Sequence, residues 1–297
     1  MRSHRKSVEI VTPLDKYIDE IDAKLLGNVN IVSWLRILSL RYLLYSSKSQ
    51  KGVQIKFQGR VLSIKDFKRR LLEDICNELY SQKNKELKIL LDRANKKMDY
   101  IKDALHQMNY SILDIPVRTV SKLIIGMSDE FFGKQIYDVG LTWDPYLNLP
   151  YIPASSLKGA FRAYLYLKRI TINDRVAEKL LGTTERVSYI VFTDSYPISL
   201  NSRSLLTPEV TTPIYREIEG RIYESLAKPV PIIYPVINKD VTFRIIVGIK
   251  PEKVIKNEKD RQIASKLRVS LSRYLLDMLR YGIGAKTLIG YGILSKP

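Results

Sequence analysis

The sequence predicts an α+β fold: a ferredoxin-like (RRM-like) βαββαβ core with an N-terminal helical segment and an inserted loop or hairpin. Three observations predict it. Apolar residues recur at helical spacing through roughly the first 110 residues, and the texture changes to strands from Ile115. The later runs then follow the order strand, helix, strand, strand, helix, strand, which is the split βαβ pattern. We place the mostly helical segment at 1–112 and the core at 113–297, with the insertion near 198–232.

The elements follow in order. In IVSWLRILSLRYLLY (31–45) the apolar residues keep helical spacing, with Arg36 and Arg41 off the main stripe. KGVQIKFQGR (51–60) alternates as a short hairpin or loop would, and 65–80 and 85–106 read as amphipathic helices. VRTVSKLIIGM (117–127) alternates as a strand and ends at Gly126. A helix starts at the Ser155-Ser156 cap and runs through Ala160, Ala163 and Leu167. SYIVFTDSYP (188–197) is a buried-type strand closed by Pro197. VTFRIIVGI (241–249) puts Val241, Phe243, Ile245, Val247 and Ile249 on one face, with Thr242 and Arg244 on the other. The helix 261–281 carries Ile263, Leu267, Leu271, Leu275 and Leu279 four apart, and LIGYGIL (288–294) is the last strand. Such a core leaves one sheet face free, the surface across which RRM domains lay RNA. The connection 196–240, rich in Pro, Thr and Tyr, is long enough to predict a function of its own.

Charge narrows the partners. Among 297 residues, 49 Lys and Arg oppose 31 Asp and Glu, a net +18. Residues 1–110 hold 22 basic and 13 acidic side chains, so +9 of that excess lies there. A surface this positive attracts phosphate backbones or an acidic protein. A charge-rich thermophile surface is the plainer reading, but it need not be so lopsided. With 45% hydrophobic and 27% charged residues the chain reads as globular. The lone Cys76 excludes an internal disulfide framework and a Cys-rich zinc site. No apolar run approaches the roughly 20 residues that span a bilayer. The start MRSHRKSVEIVTPLDKY has no apolar stretch behind it, so no signal peptide and a cytoplasmic location are expected.

Two constellations could carry chemistry. In YIPASSLKGAFR (151–162), Pro153 stiffens the approach, a Ser can cap the helix, and Lys158 and Arg162 lie four apart on its first turns. This makes a phosphate seat, and equally well a capped helix with a solvated basic edge. In GIGAKTLIGYG (282–292), Gly282, Gly284, Gly290 and Gly292 free the backbone for close approach or positive φ, and Lys286 adds charge. It is not a nucleotide P-loop, because Ala285 stands where Gly must precede Lys-Thr and no helix follows. A tight helix-to-strand turn is the plainer reading. Catalytic residues are few. His4 and His106 sit near no obvious Ser, Cys or carboxylate partner in sequence, and Asp138, Asp144 and Asp194 read as turn caps or lysine partners. No metal-ligand spacing occurs, so no enzyme, cofactor or metal is expected.

YIPASSLKGAFR followed by GIGAKTLIGYG resembles the RAMP superfamily of CRISPR-associated proteins, in which a Gly-Ser-Ser helix start is paired with a terminal glycine-rich loop. With DSYP after a strand and a later Pro-Val-Pro stretch, roughly 117–294 is most similar to the sixth-subunit family of Cmr (type III-B) effector complexes. The resemblance implies a non-catalytic, RNA-binding subunit. It marks Ser155, Ser156, Lys158, Gly159, Arg162, Gly282, Gly284, Lys286, Gly290 and Gly292 as the RNA-binding set. It implies guide CRISPR RNA, target RNA and other Cmr subunits as partners, with the chain capping the backbone stack near the 3′ part of the guide. The stretch 200–228 would press against the guide–target duplex. Two departures stand out: Ala154 replaces the usual Gly, and Ile214 stands where relatives tend to carry a His. A RAMP-type endoribonuclease processing guide precursors and a backbone subunit of the related Csm complex are the alternatives.

Overall fold

The structure is a computed structural model. It describes residues 24–46, 54–57, 60–126, 136, 137, 139–168, 180–184, 187–212, 216–218, 220–223, 231–251, 255 and 257–297. The described part of the N-terminal segment is mostly helical, as its periodicity demands. A short helix α1 (Leu25–Asn28) leads into α2 (Ile31–Ser46), whose first turn Asn30 caps by accepting from the Ser33 amide at 3.0 Å. The antiparallel pair β1 (Gln54–Phe57) and β2 (Arg60–Ser63) follows. Ser63 caps α3 (Ile64–Asp74), which relaxes into a π-turn at Ile75–Leu79. Asn84 then caps α4 (Lys85–Gln107), accepting from the Glu86 amide at 3.0 Å and donating to the Leu79 carbonyl at 2.8 Å. The buried stripe of α4 is Leu87, Leu90, Leu91, Ala94, Met98 and Leu105. Its three- and four-residue spacing aims that stripe at a neighbouring layer.

That layer is an antiparallel sheet. Its strands are β3 (Ser111–Thr119), β6 (Ile190–Phe192), β7 (Tyr196–Leu200), β12 (Val241–Ile249) and β13 (Leu294–Ser295). They run in the order β13-β3-β12-β6, with β7 also on β12. A minor pair, β4 (Trp143–Asp144) with β5 (Leu149–Pro150), precedes helix α5 (Ala154–Leu167) between β3 and β6. Helix α6 (Glu258–Arg280) connects β12 to β13. Both α5 and α6 pack on one face of the sheet and α4 on the other.

The free sheet face predicted from sequence does not exist, because α4 covers it. The Arg244 guanidinium, expected to face outwards, grips Asp114 in two parallel bonds (2.8 and 2.7 Å) and reaches Asp99 (2.7 Å) and Asn95 (2.9 Å) on α4. Those bonds from Arg244 hold the Asp114 carboxyl below its ordinary range against the opposing effect of burial. Further along the same face, a Cβ at Gly248 would come within 2.9 Å of the Tyr110 ring and 3.4 Å of Leu105. The period-2 pattern of β12 was right, but both of its faces are inside. One buried cluster runs from Leu25 to Leu294 across the boundary drawn at 112.

Three elements differ from the sequence reading. The first core strand begins at Ser111 and ends at Thr119, and 120–126 continues as an extended connection with a bridge from Leu123 to Ile237. The run 188–197 splits into β6 and β7 because Ser195 leaves the ladder to pair with Ile152. The expected last strand, 288–294, is mostly loop, since Gly290 and Gly292 hold φ of +90° and +71°. The described residues of the insertion form a ribbon. Strands β8 (Leu206–Thr211) and β11 (Ile232–Ile237) pair at its root, and β9 (Arg216–Ile218) pairs with β10 (Arg221–Tyr223) further out. The root is tied to the N-terminal segment, where the Leu205 amide donates to the Tyr80 carbonyl and the Gln82 amide to the Arg203 carbonyl, both at 2.8 Å.

Candidate RNA interface

The start of α5 is seated by the DSYP segment rather than by its own serines. Pro153 is the cap residue and contributes no side-chain bond, while Asp194 Oδ1 accepts from the Ala154 amide at 2.8 Å. Ile152 and Ser195 exchange backbone bonds of 2.9 Å. Tyr196 stacks on Tyr151 with ring centres 5.5 Å apart and donates to Asp144 Oδ2 at 2.8 Å. Lys97 on α4 donates to the same carboxylate oxygen (2.9 Å) and to the Tyr196 hydroxyl (2.7 Å). Burial pushes the Asp144 carboxyl up, but the bonds from Lys97, the Leu147 amide and Tyr196 outweigh it and hold the group below its ordinary range. The cap foreseen at Ser155-Ser156 is thus corrected. A carboxylate already sits at the positive end of the helix, leaving any anion there to the side-chain cations.

Leu157, Phe161, Tyr164 and Leu165 turn inwards, leaving Ser155, Gly159 and Arg162 on the exposed side and Ser156 and Lys158 half-buried. A Cβ at Gly159 would meet nothing within 4 Å. Arg162 donates to the Gly182 carbonyl, so part of its guanidinium is already engaged. Beside this turn lies an open groove of about 300 Å³.

The glycine-rich loop is built differently. A Cβ at Gly284 would stand 2.1 Å from the Ile124 carbonyl oxygen, and one at Gly292 2.0 Å from that of Ile283. The Ala285 amide donates to Ile124 and the Gly292 amide to Lys122, both at 2.8 Å. Lys286 holds φ +61° and turns its ammonium inwards, donating to Thr211 Oγ1 at 2.5 Å and the Tyr234 hydroxyl at 2.7 Å. Next to it, Glu209 accepts from Lys122 (2.9 Å) and from the Tyr291 hydroxyl (2.8 Å). Burial raises the Glu209 carboxyl, but these bonds from Lys122 and Tyr291 prevail and hold it low, while the Tyr291 hydroxyl is pushed up to about 12, first by burial and then by Glu209. Thr211, Glu209 and Tyr234 belong to the ribbon root, so loop and ribbon are one hydrogen-bonded unit. The tip carries Leu288, fully exposed, and Ile289.

The two constellations do not meet. The α5 start lies by β6, whereas the loop packs where β3 ends at Thr119 and near the far end of α5, whose Tyr164 contacts Tyr281 at 6.0 Å. From Ser155 to Tyr164 the helix advances about 14 Å. Sequence reasoning missed Lys97, Lys122, Glu209 and Tyr234 as partners, because their contacts join residues dozens of positions apart. Among the described residues no group of three or more His, Cys, Asp or Glu could hold a metal, and no helix is long and apolar enough to cross a membrane. His106 is exposed in the last turn of α4, while His4, Asp138 and Ile214 lie outside the described residues.

A layered α+β core with this helix start and terminal glycine loop defines a class, and the chain belongs to the RAMP superfamily, whose family model matches residues 117–295. Over 97% of its length it is 29% identical to the CRISPR system Cmr subunit Cmr6 of Saccharolobus solfataricus, covering 96% of that protein. It is 24% identical over 60% of its length to Cmr6 of Pyrococcus furiosus, covering 66% of it. Its fold matches a chain in a cryo-EM structure of the type III-B Cmr-beta complex bound to cognate target RNA, with a TM-score of 0.70 and 27% identity. That match covers 94% of this chain and 96% of the other.

Proposed function

We propose that the chain is a non-catalytic, RNA-binding structural subunit of a type III-B (Cmr) effector complex, working in the cytoplasm. In this reading it caps the backbone near the 3′ part of the guide RNA, and its ribbon contacts the guide–target duplex. The observation that carries the reading is the similarity to Cmr6 over nearly the whole length, N-terminal helices included. The net charge of +18 supports an RNA partner. The fold supports a ferredoxin-like core: β12 separates β3 from β6, and β3 separates β12 from β13, as two split βαβ units require. With α4 over one sheet face, RNA would run along sheet ends and loops instead.

Reconstitution with the other Cmr subunits, a guide and a target tests it. Native mass spectrometry should find one copy per complex, and the purified chain should leave guide precursor and target RNA uncut. Several adjacent copies would overturn the capping role. Cleavage that co-purifies with the chain and disappears on His106→Ala would overturn the non-catalytic one.

A further inference from the structure

The groove beside the α5 start draws its walls from parts of the chain that no motif connects. Ser155 and Lys158 come from α5, Val187, Ser188 and Ile190 to Phe192 from β6 and the residues before it, Tyr110 from the turn after α4, and Lys250 from just past the end of β12. Its chemistry is two-sided. The apolar side is Tyr110, Val187 and Phe192, with Val187 79% exposed. The polar lining residues include Lys158, Lys250 and Ser155. Among the described residues neither lysine has a carboxylate within ion-pair distance, in contrast to Arg244, which is answered by Asp114 and Asp99. The α5 amide end is not what makes the groove cationic, since Asp194 occupies it. Tyr110 is held in place from behind, packed against the bare backbone of Gly248 where any Cβ would collide with the ring. A rigid aromatic edge beside two unanswered cations suits a base and the phosphates that flank it. The volume, about 300 Å³, is that of one small ligand unit rather than of a helix or strand.

We infer that this groove binds one nucleotide unit of single-stranded RNA, with Lys158 and Lys250 on its flanking phosphates and the base against Tyr110. This rests on the RNA-binding reading above and adds Lys250 and Tyr110 to it, at the sheet end opposite the glycine-rich loop. In space, the ends of β12 put them about 26 Å apart.

The test uses the full chain and a uridine oligonucleotide of about 20 residues, titrated at several salt concentrations by fluorescence anisotropy. Lys250→Ala should weaken binding several-fold and make the log K against log salt slope about 0.7 shallower, and adding Lys158→Ala should double that change. Tyr110→Leu should weaken binding about tenfold with the slope unchanged, whereas Tyr110→Phe should bind as the unaltered chain does. Lys266→Ala, on the exposed side of α6, is the charge control, and thermal unfolding verifies each fold. If the unaltered chain binds RNA and Lys250→Ala behaves as the Lys266→Ala control does, the groove assignment is overturned and the RNA-binding role stands. If the unaltered chain binds no RNA, both are overturned.

Discussion

The start of α5 and the glycine-rich loop look alike in sequence, each a run of small residues with a lysine, and the fold uses them in opposite ways. At the helix start the small residue is idle structurally: a side chain at Gly159 would enter open space, and Lys158 has no acidic partner among the described residues. In the loop the same residue types are consumed by the interior. Gly284 and Gly292 exist because a backbone carbonyl stands where their Cβ would be, and the Lys286 ammonium is spent on Thr211 and Tyr234. Glycine beside lysine therefore does not by itself mark a place where a ligand approaches. What separates the cases is whether the space around the backbone is filled by the chain or left open.

The contrast can be tested from its steepest side. Gly284→Ala should destabilise the chain by at least about 3 kcal/mol in urea unfolding, since a left-handed backbone and a carbonyl clash add together. A variant as stable as the parent would show that the loop is as open as the helix start. The next effect is smaller and depends on pH. Because Glu209 is held below its ordinary range, it favours the folded state at neutral pH. That contribution is lost as pH falls below about 4.5 and through the lowered value, because the unfolded chain takes up the proton first. Glu209→Gln should thus cost about 1–2 kcal/mol at pH 7, and the gap to the parent should narrow towards pH 3. A gap that is constant with pH would sink the ion-pair account of the ribbon root. Smallest is Gly159→Ala, where restricting the unfolded chain in an exposed helix should stabilise by about 0.5–1 kcal/mol, read as a higher unfolding midpoint. Destabilisation would mean that the open side of α5 is more crowded than its geometry allows.

A second contrast lies between the two halves of the chain. The N-terminal helices carry no motif, yet their contacts reach the motifs: Lys97 completes the Asp144–Tyr196 network under α5, and Asn95 and Asp99 answer Arg244. Asn148, in turn, pins the first helices, donating to the Leu26 and Val29 carbonyls and accepting from the Ile31 amide. The texture change near 112 is real as a switch of periodicity. It does not divide the interior, because the stripe of α4 packs on the sheet and its buried residues join one cluster with those of the core.

By itself the sequence determined the elements whose apolar spacing is long and regular. The period of four in α6 and the alternation in β12 state their conformation locally, and 241–249 matches its strand residue for residue. It also determined the mix of helix and strand, the net positive charge and the two constellations, for these are matters of residue type and position along the chain. Only the tertiary structure decided which surfaces stay open. Whether Arg244 faces water or Asp114, whether Lys286 turns outwards or towards Tyr234, and whether Asp194 is an idle turn residue or the cap of α5 all depend on groups brought together from 40 to 130 positions away. Hydrophobic periodicity is a local property, and the partner of a charge is not: burying a charge is favourable only when a distant counter-charge and donors arrive with it.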